Sequence, residues 1–197
     1  ERVAPEELES RVARRAAQLG TGRLVLLRGT AELALVVDLL ACLRARCPAI
    51  LAGPSDPADD VLVERFDPDV VLDATAGPEG SEVVERRTGS VHALHPELAL
   101  LLSTSGSTGS PKLVRLSRRN LASNAAAIAS YLRLAADDCA ITSLPLHYCY
   151  GLSVLTSHLV VGATVVLGEL SVVDPCFWAQ CRDAGVTTVA GVPHTFE

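Results

Sequence analysis

Methionine is absent from all 197 residues of this sequence, position 1 included. The chain closes on "GVPHTFE" without a polar tail, and we read it as a piece of a longer protein. An excess of basic charge is also missing. The net charge of −6 argues against a general nucleic-acid binder. No block of like charges marks a solvated tail. The longest apolar stretch, Leu33 to Leu43, is interrupted by Asp38. It falls short of the roughly 18–20 residues that a membrane span needs. The opening "ERVAPEELESRVARRAAQLG" is a charged amphipathic pattern, which excludes a signal peptide. None of the six cysteines (Cys42, Cys47, Cys139, Cys149, Cys176 and Cys181) forms a CxxC pair. Cys42/Cys47 and Cys176/Cys181 are spaced i, i+5 in expected helices, which sends their side chains to different faces and suits no shared metal. This predicts free, mostly buried thiols in a reducing cytoplasm.

What is present is apolar and ordered. Hydrophobic residues make up 49% of the chain, and the mean hydropathy is +0.31. A core can form, and disorder is excluded. The length suits one large domain or two small ones. Pro5 to Leu19 is expected to be a helix ended by Gly20, followed by a strand at Arg23 to Leu27 and a helix through "AELALVVDLLACLRARC". "AILAG" predicts a second strand, with Ser55 or Asp56 capping a short helix after it, and Val70 to Leu72 a third strand. Gly77 to Ser90 reads as a polar surface connection. Beyond it, "LALLLS", Leu113 to Ser117, "CAITSLPL", "ATVVLG" and "VTTVAGVP" are expected strands. Between them lie an Ala-rich helix after Ser117, a helix at Gly151 to Val161, and one opened by Asp174-Pro175. Continuous apolar strands of about 4–6 residues alternating with helices predict an α/β fold, largely parallel, with helices on both faces.

One stretch breaks the pattern. "STSGSTGSPK", Ser103 to Lys112, joins two apolar strands and carries a single charge at its end. Ligand sites in open parallel sheets lie beyond the carboxyl ends of strands. Gly106 and Gly109 allow backbone N–H groups to converge on an anion. Ser103, Thr104, Ser105, Ser107 and Thr108 supply hydroxyls, which also suit Mg²⁺, with Thr108 the metal-side candidate. Lys112 brings a point charge suited to phosphate. A P-loop would need GxxxxGK[ST] opening into a helix. Here Pro111 precedes the Lys and a strand follows, so the loop reads as a strand-to-strand clamp.

The core "TSGSTGSPK", Thr104 to Lys112, resembles the phosphate-loop signature of the adenylate-forming superfamily. That group holds acyl- and aryl-CoA synthetases, nonribosomal peptide synthetase adenylation domains and luciferases. "LVLLRGTAELALVVDLLACLRARCPAILAGPSD" resembles its early strand-helix-strand, and "SLPLHYCYGLSVLTSHLVVGATVVL" its later "LP…H…G…G" segment. The resemblance covers nearly the whole chain. It implies that residues 1–197 are part of a large N-terminal AMP-binding domain, with the rest of that domain and a small C-terminal domain absent. It also implies attack of a carboxylate on the α-phosphate of ATP, then transfer of the acyl group to a thiol, of coenzyme A or of a carrier-protein arm. Thr104, Ser105, Ser107 and Thr108 would supply donors to the phosphates, Gly106 and Gly109 the tight path, and Lys112 and Thr108 the catalytic contacts.

The resemblance also implies an acid-binding side. Many relatives read P-x-x-H-x-x-G where this chain has "PLHYCYG". Counting from Pro145, the matching position holds Tyr148, and His147 sits one residue earlier. Either residue remains a candidate, with Gly151 allowing close approach at a helix start. Gly191, Val192, Pro193 and His194 would shape a second wall. His92 and His95 are expected to be surface or structural residues, and His158 a core residue. No "YGxTE"-like or "TGD" segment is present, which predicts that this piece alone is inactive. A non-catalytic relative and an unrelated phosphate-binding module are the alternatives.

Overall fold

A computed structural model describes residues 2–54, 61–76, 81–103 and 112–193. The chain divides into two compact units, one ending at Arg118 and the other beginning at Arg119.

In the first unit the elements run α1 (Pro5–Leu19), β1 (Val25–Arg28), α2 (Leu33–Ala45), β2 (Ala49–Ala52), α3 (Val61–Phe66), β3 (Val70–Asp73), β4 (Glu82–Glu85), β5 (Leu98–Ser103) and β6 (Leu113–Ser117). They form a six-stranded sheet in the order β4-β3-β1-β2-β5-β6. The four central strands are parallel, and β4 and β6 close the edges antiparallel. Alternation along the strands splits the apolar residues between two faces. Leu24, Leu26, Ile50 and Val71 form one cluster, covered by Leu62, Val63 and Phe66 of α3. Val25, Leu27, Leu51, Val70 and Leu72 point the other way and are also buried. Burial on both faces explains why these strands read as unbroken apolar runs.

Sequence and structure part company at β4. "EVVE" was expected to lie in a surface connection, yet it pairs with β3, Val71 opposite Val84. All four of its residues are exposed. With neither face of this edge strand buried, its composition carries no core signal. A charge cluster pins the segment instead. Arg86 and Arg87 both donate to Asp67 Oδ1 at 2.7 Å. These bonds, Arg87's foremost, hold the Asp67 carboxyl below the usual carboxylate range. His92 Nε2 stands 2.9 Å from the Asp67 carbonyl, so the expected structural role of His92 is met. Buried Arg23 caps the end of α1 by donating to the carbonyls of Leu19 and Gln18, and it also pairs with Glu85.

The second unit comprises α4 (Arg118–Leu132, whose first residue belongs to the first unit), β7 (Cys139–Ile141), α5 (Cys149–Val160), β8 (Thr164–Val166), α6 (Pro175–Ala184) and β9 (Thr188–Val189). Its three strands are parallel in the order β8-β7-β9. Asp174 caps α6 as expected, accepting from Cys176 N–H at 2.8 Å. Gly185 ends that helix in the left-handed region, φ 67°. His158 is a core residue, its Nδ1 2.8 Å from the Val154 carbonyl. All six cysteines are free; four are buried, and Cys149 and Cys176 are exposed. Cys47 lies past the end of α2 rather than inside it, where Arg46 takes a left-handed conformation. No helix among the described residues is long and apolar enough to cross a membrane.

A buried carboxylate joins the two long helices of the first unit. Asp38 on α2 is 1% exposed and ion-paired to Arg15 Nε of α1 at 2.8 Å. Its other oxygen accepts the Ser81 hydroxyl. Burial pushes the Asp38 carboxyl above its ordinary value of 3.8, against the pull of Ser81 and Arg15. A carboxyl raised by folding confers stability in its protonated form and loses it as pH rises through the folded value. The stability of wild type relative to Asp38→Asn is therefore expected to fall as pH rises above the ordinary value of 3.8. Urea unfolding at a series of pH values checks this; a flat difference would remove Asp38 as the cause.

Candidate functional site

In the first unit, parallel pairing brings the carboxyl ends of four strands to one edge. Leu27 lies opposite Leu51 and Leu72, and Leu51 opposite Leu102. The chain leaves β5 at that edge and returns antiparallel as β6, with Ser103 opposite Leu113. The donor-rich stretch is therefore a strand-to-strand connection, as its sequence indicates. Its two feet, Ser103 and Lys112, are both exposed. Thr104, Ser105, Gly106, Ser107, Thr108 and Gly109 lie outside the described residues. At the same edge, buried Arg28 ends β1 opposite Asp73. Desolvation lowers the pKa of its guanidinium, and the Asp73 charge opposes that shift.

In the second unit, two hydroxyls tie three strand ends together. Thr142 Oγ1 donates to the Gly168 carbonyl at 2.9 Å and accepts from Gly168 N–H at 3.0 Å. This extends the pairing of β7 and β8 beyond the ladder. On the other side the Ser143 hydroxyl donates to the Ala190 carbonyl, joining the end of β7 to that of β9. Pro145 to Tyr148 then forms a tight turn, closed by Tyr148 N–H donating to the Pro145 carbonyl at 3.1 Å. Leu146 anchors the turn, 1% exposed. His147 follows, half-buried, and desolvation lowers its pKa. Tyr148 is 45% exposed and stands at the N-cap of α5. Gly151 is buried in the first turn of that helix.

The candidate residues of this unit thus share one edge. His147, Tyr148 and Gly151 follow β7, and Gly191, Val192 and Pro193 follow its neighbour β9. His194 lies outside the described residues. Of the two alternatives at the histidine position, His147 is the more enclosed and Tyr148 the more open. Thr142 and Ser143 were not singled out from sequence. The signal was available: paired hydroxyls directly after an apolar strand repeat, in miniature, the pattern at Ser103.

The family model "AMP-binding enzyme" matches residues 57–197. The chain belongs to the AMP-binding enzyme family. Among curated proteins, it is 33% identical over 143 residues to an oxalate–CoA ligase of Arabidopsis thaliana, covering 70% of this chain and 25% of the relative. It is 36% identical over 151 residues to an indoleacetate–CoA ligase of Aromatoleum aromaticum, covering 72% of this chain and 28% of the relative. The match thus spans about a quarter of the length of each of these relatives. Among solved structures, o-succinylbenzoate coenzyme A synthetase of Bacillus subtilis, in complex with ATP and magnesium ion, superposes with a TM-score of 0.79 at 21% identity. The match covers 100% of this chain and 59% of that one. It establishes the fold: the mixed α/β architecture expected from sequence is shared with that synthetase.

Thr142 is the tether whose loss is simplest to measure. Thr142→Val keeps the shape and leaves Gly168 N–H without its side-chain acceptor. A cost of about 1–3 kcal/mol is expected. Trp178, the single tryptophan, sits in α6 of the same unit, so its fluorescence during denaturant unfolding reports this unit. A lowered midpoint with an unchanged slope is expected for Thr142→Val, and a smaller change for Thr142→Ser.

Proposed function

We propose that the protein containing this chain activates a carboxylic acid with ATP as an acyl-adenylate, releasing pyrophosphate, and then passes the acyl group to a thiol, that of coenzyme A, with AMP as the leaving group. Residues 1–197 are read as part of its large N-terminal domain. The rest of that domain and a small C-terminal domain are read as supplied by further sequence. The observation that carries this reading is the β5–β6 connection: Ser, Thr, Gly and one Lys at the carboxyl edge of a parallel sheet. The printed names of the relatives, CoA ligases for different acids, support the coenzyme A acceptor. The free cysteines fit a reducing, cytoplasmic setting.

The chemistry follows from charge. Departure of pyrophosphate leaves several negative charges to be neutralised, and preformed donors aimed at them lower the barrier most. In this reading the hydroxyls and N–H groups of Thr104, Ser105, Ser107 and Thr108 donate to the terminal phosphates, Gly106 and Gly109 permit the tight path, and Lys112 adds a full charge. Among the described residues no three His, Cys, Asp or Glu side chains are grouped to hold a metal ion. Magnesium suits the hydroxyl set instead, Thr108 foremost, and would supply further charge neutralisation alongside the phosphates. The acid is assigned to the edge where His147, Tyr148 and Gly191 to Pro193 follow neighbouring strands.

Pyrophosphate exchange into ATP, run on the full-length protein with a panel of carboxylic acids, tests the reading. Exchange dependent on one class of acid is expected, with little from the 197-residue chain alone. Lys112→Ala should lower exchange or raise the KM for ATP by about 10–100-fold, as expected for losing a charged donor. Circular dichroism should be unchanged. Exchange that ignores every acid would sink the proposal, and unaltered kinetics in Lys112→Ala would remove that residue from the site.

A further inference from the structure

Gly151 stands where no side chain fits. A Cβ built on it would lie 2.3 Å from the Pro145 carbonyl oxygen and 2.6 Å from that of Leu144. Real Cβ contacts are essentially never shorter than about 3.0 Å, so an alanine here must push the turn or the helix apart by roughly 0.7 Å. The obstructing atoms are backbone, and no rotamer change can relieve them. Pro145 O is also the acceptor that closes the turn carrying His147. The missing side chain of Gly151 and the closure of that turn therefore meet at one oxygen atom.

Helix propensity gives the opposite expectation. Alanine in place of a glycine inside a helix ordinarily stabilises by about 0.5–1 kcal/mol. The glycine is thus kept against the preference of α5, which points to the contact and not to the helix. The turn is otherwise well fixed: Leu146 is buried, and Thr142 and Ser143 tie its approach to β8 and β9. Because the approach is fixed, the displacement falls on the turn itself.

We propose that Gly151 is a positioning residue of the acid-binding edge: by admitting the Leu144 and Pro145 carbonyls against the first turn of α5, it sets where the His147 imidazole stands. This rests on the function proposed above. Misplacing a positioning group by about 1 Å can cost on the order of 10²-fold in rate. The substrate affected is the acid.

Two measurements on the full-length protein test it. The first is the nuclear magnetic resonance signal of the His147 imidazole, assigned by its loss in His147→Gln. It is expected to shift in Gly151→Ala and to stay in place in Ser153→Ala, a change two residues along α5. The second is exchange kinetics. In Gly151→Ala the KM for the acid should rise about tenfold or more, the KM for ATP should stay within about twofold, and the Trp178 unfolding midpoint should stay near wild type. An unmoved His147 signal overturns the proposal whatever the kinetics show. A moved signal with an unchanged acid KM, or both KM values and the midpoint shifting together, also overturns it. A wild-type protein that exchanges with no acid overturns the function reading, and the substrate half of this proposal falls with it.

Discussion

Parallel strand pairing is the constraint on which both units depend. When neighbouring strands run the same way, every connection that follows a strand must leave from the same edge. Helices fill the return paths and bury both faces, so the strands become apolar throughout. Polar chemistry is then displaced to the strand ends. In the first unit that edge carries Arg28, Asp73 and the feet of the donor-rich connection. In the second it carries Thr142, Ser143, the His147 turn and Gly191. The placement of the candidate residues is a consequence of the sheet, not an addition to it.

Rigidity at such an edge has to be built separately, because the ladder of backbone hydrogen bonds stops there. The second unit achieves it with side-chain hydroxyls that imitate the ladder. Thr142 both gives and takes a hydrogen bond with Gly168, as a backbone residue would, and Ser143 reaches the Ala190 carbonyl on the other flank. A strand of three residues, β7, thereby behaves as a longer one.

The sequence disclosed whatever depends on local pattern. Helix α1 was legible to its ends because Pro5 opens it and Gly20 closes it, and β5 and β6 because their apolar runs flank a polar insert. The donor-rich connection between β5 and β6 was legible from composition, since its hydroxyls, glycines and one lysine interrupt two apolar runs. What depends on partners remote in sequence was not legible. Strand β4 owes its existence to β3 and to Asp67, and nothing in "EVVE" announces either. Strand β7 was expected to run to Leu146, but its ladder stops at Ile141 and the chain turns at Pro145. The different burial of His147 and Tyr148 was not legible either, because neighbouring positions in a turn carry no periodic signal.

Arg23 brings a further consequence. Its guanidinium completes the last turn of α1, only four residues back, and also meets Glu85, 62 residues ahead. Those two bonds cannot form on the same schedule. The helix can close around the arginine at once, while the glutamate waits for three strands and the segment between them to fold. During synthesis Arg23 exists well before its second partner does. Contacts of such long sequence separation form slowly, because the intervening chain must be closed first. The end of α1 is therefore finished late, by the arrival of an edge strand, although its sequence is among the most strongly helical in the chain.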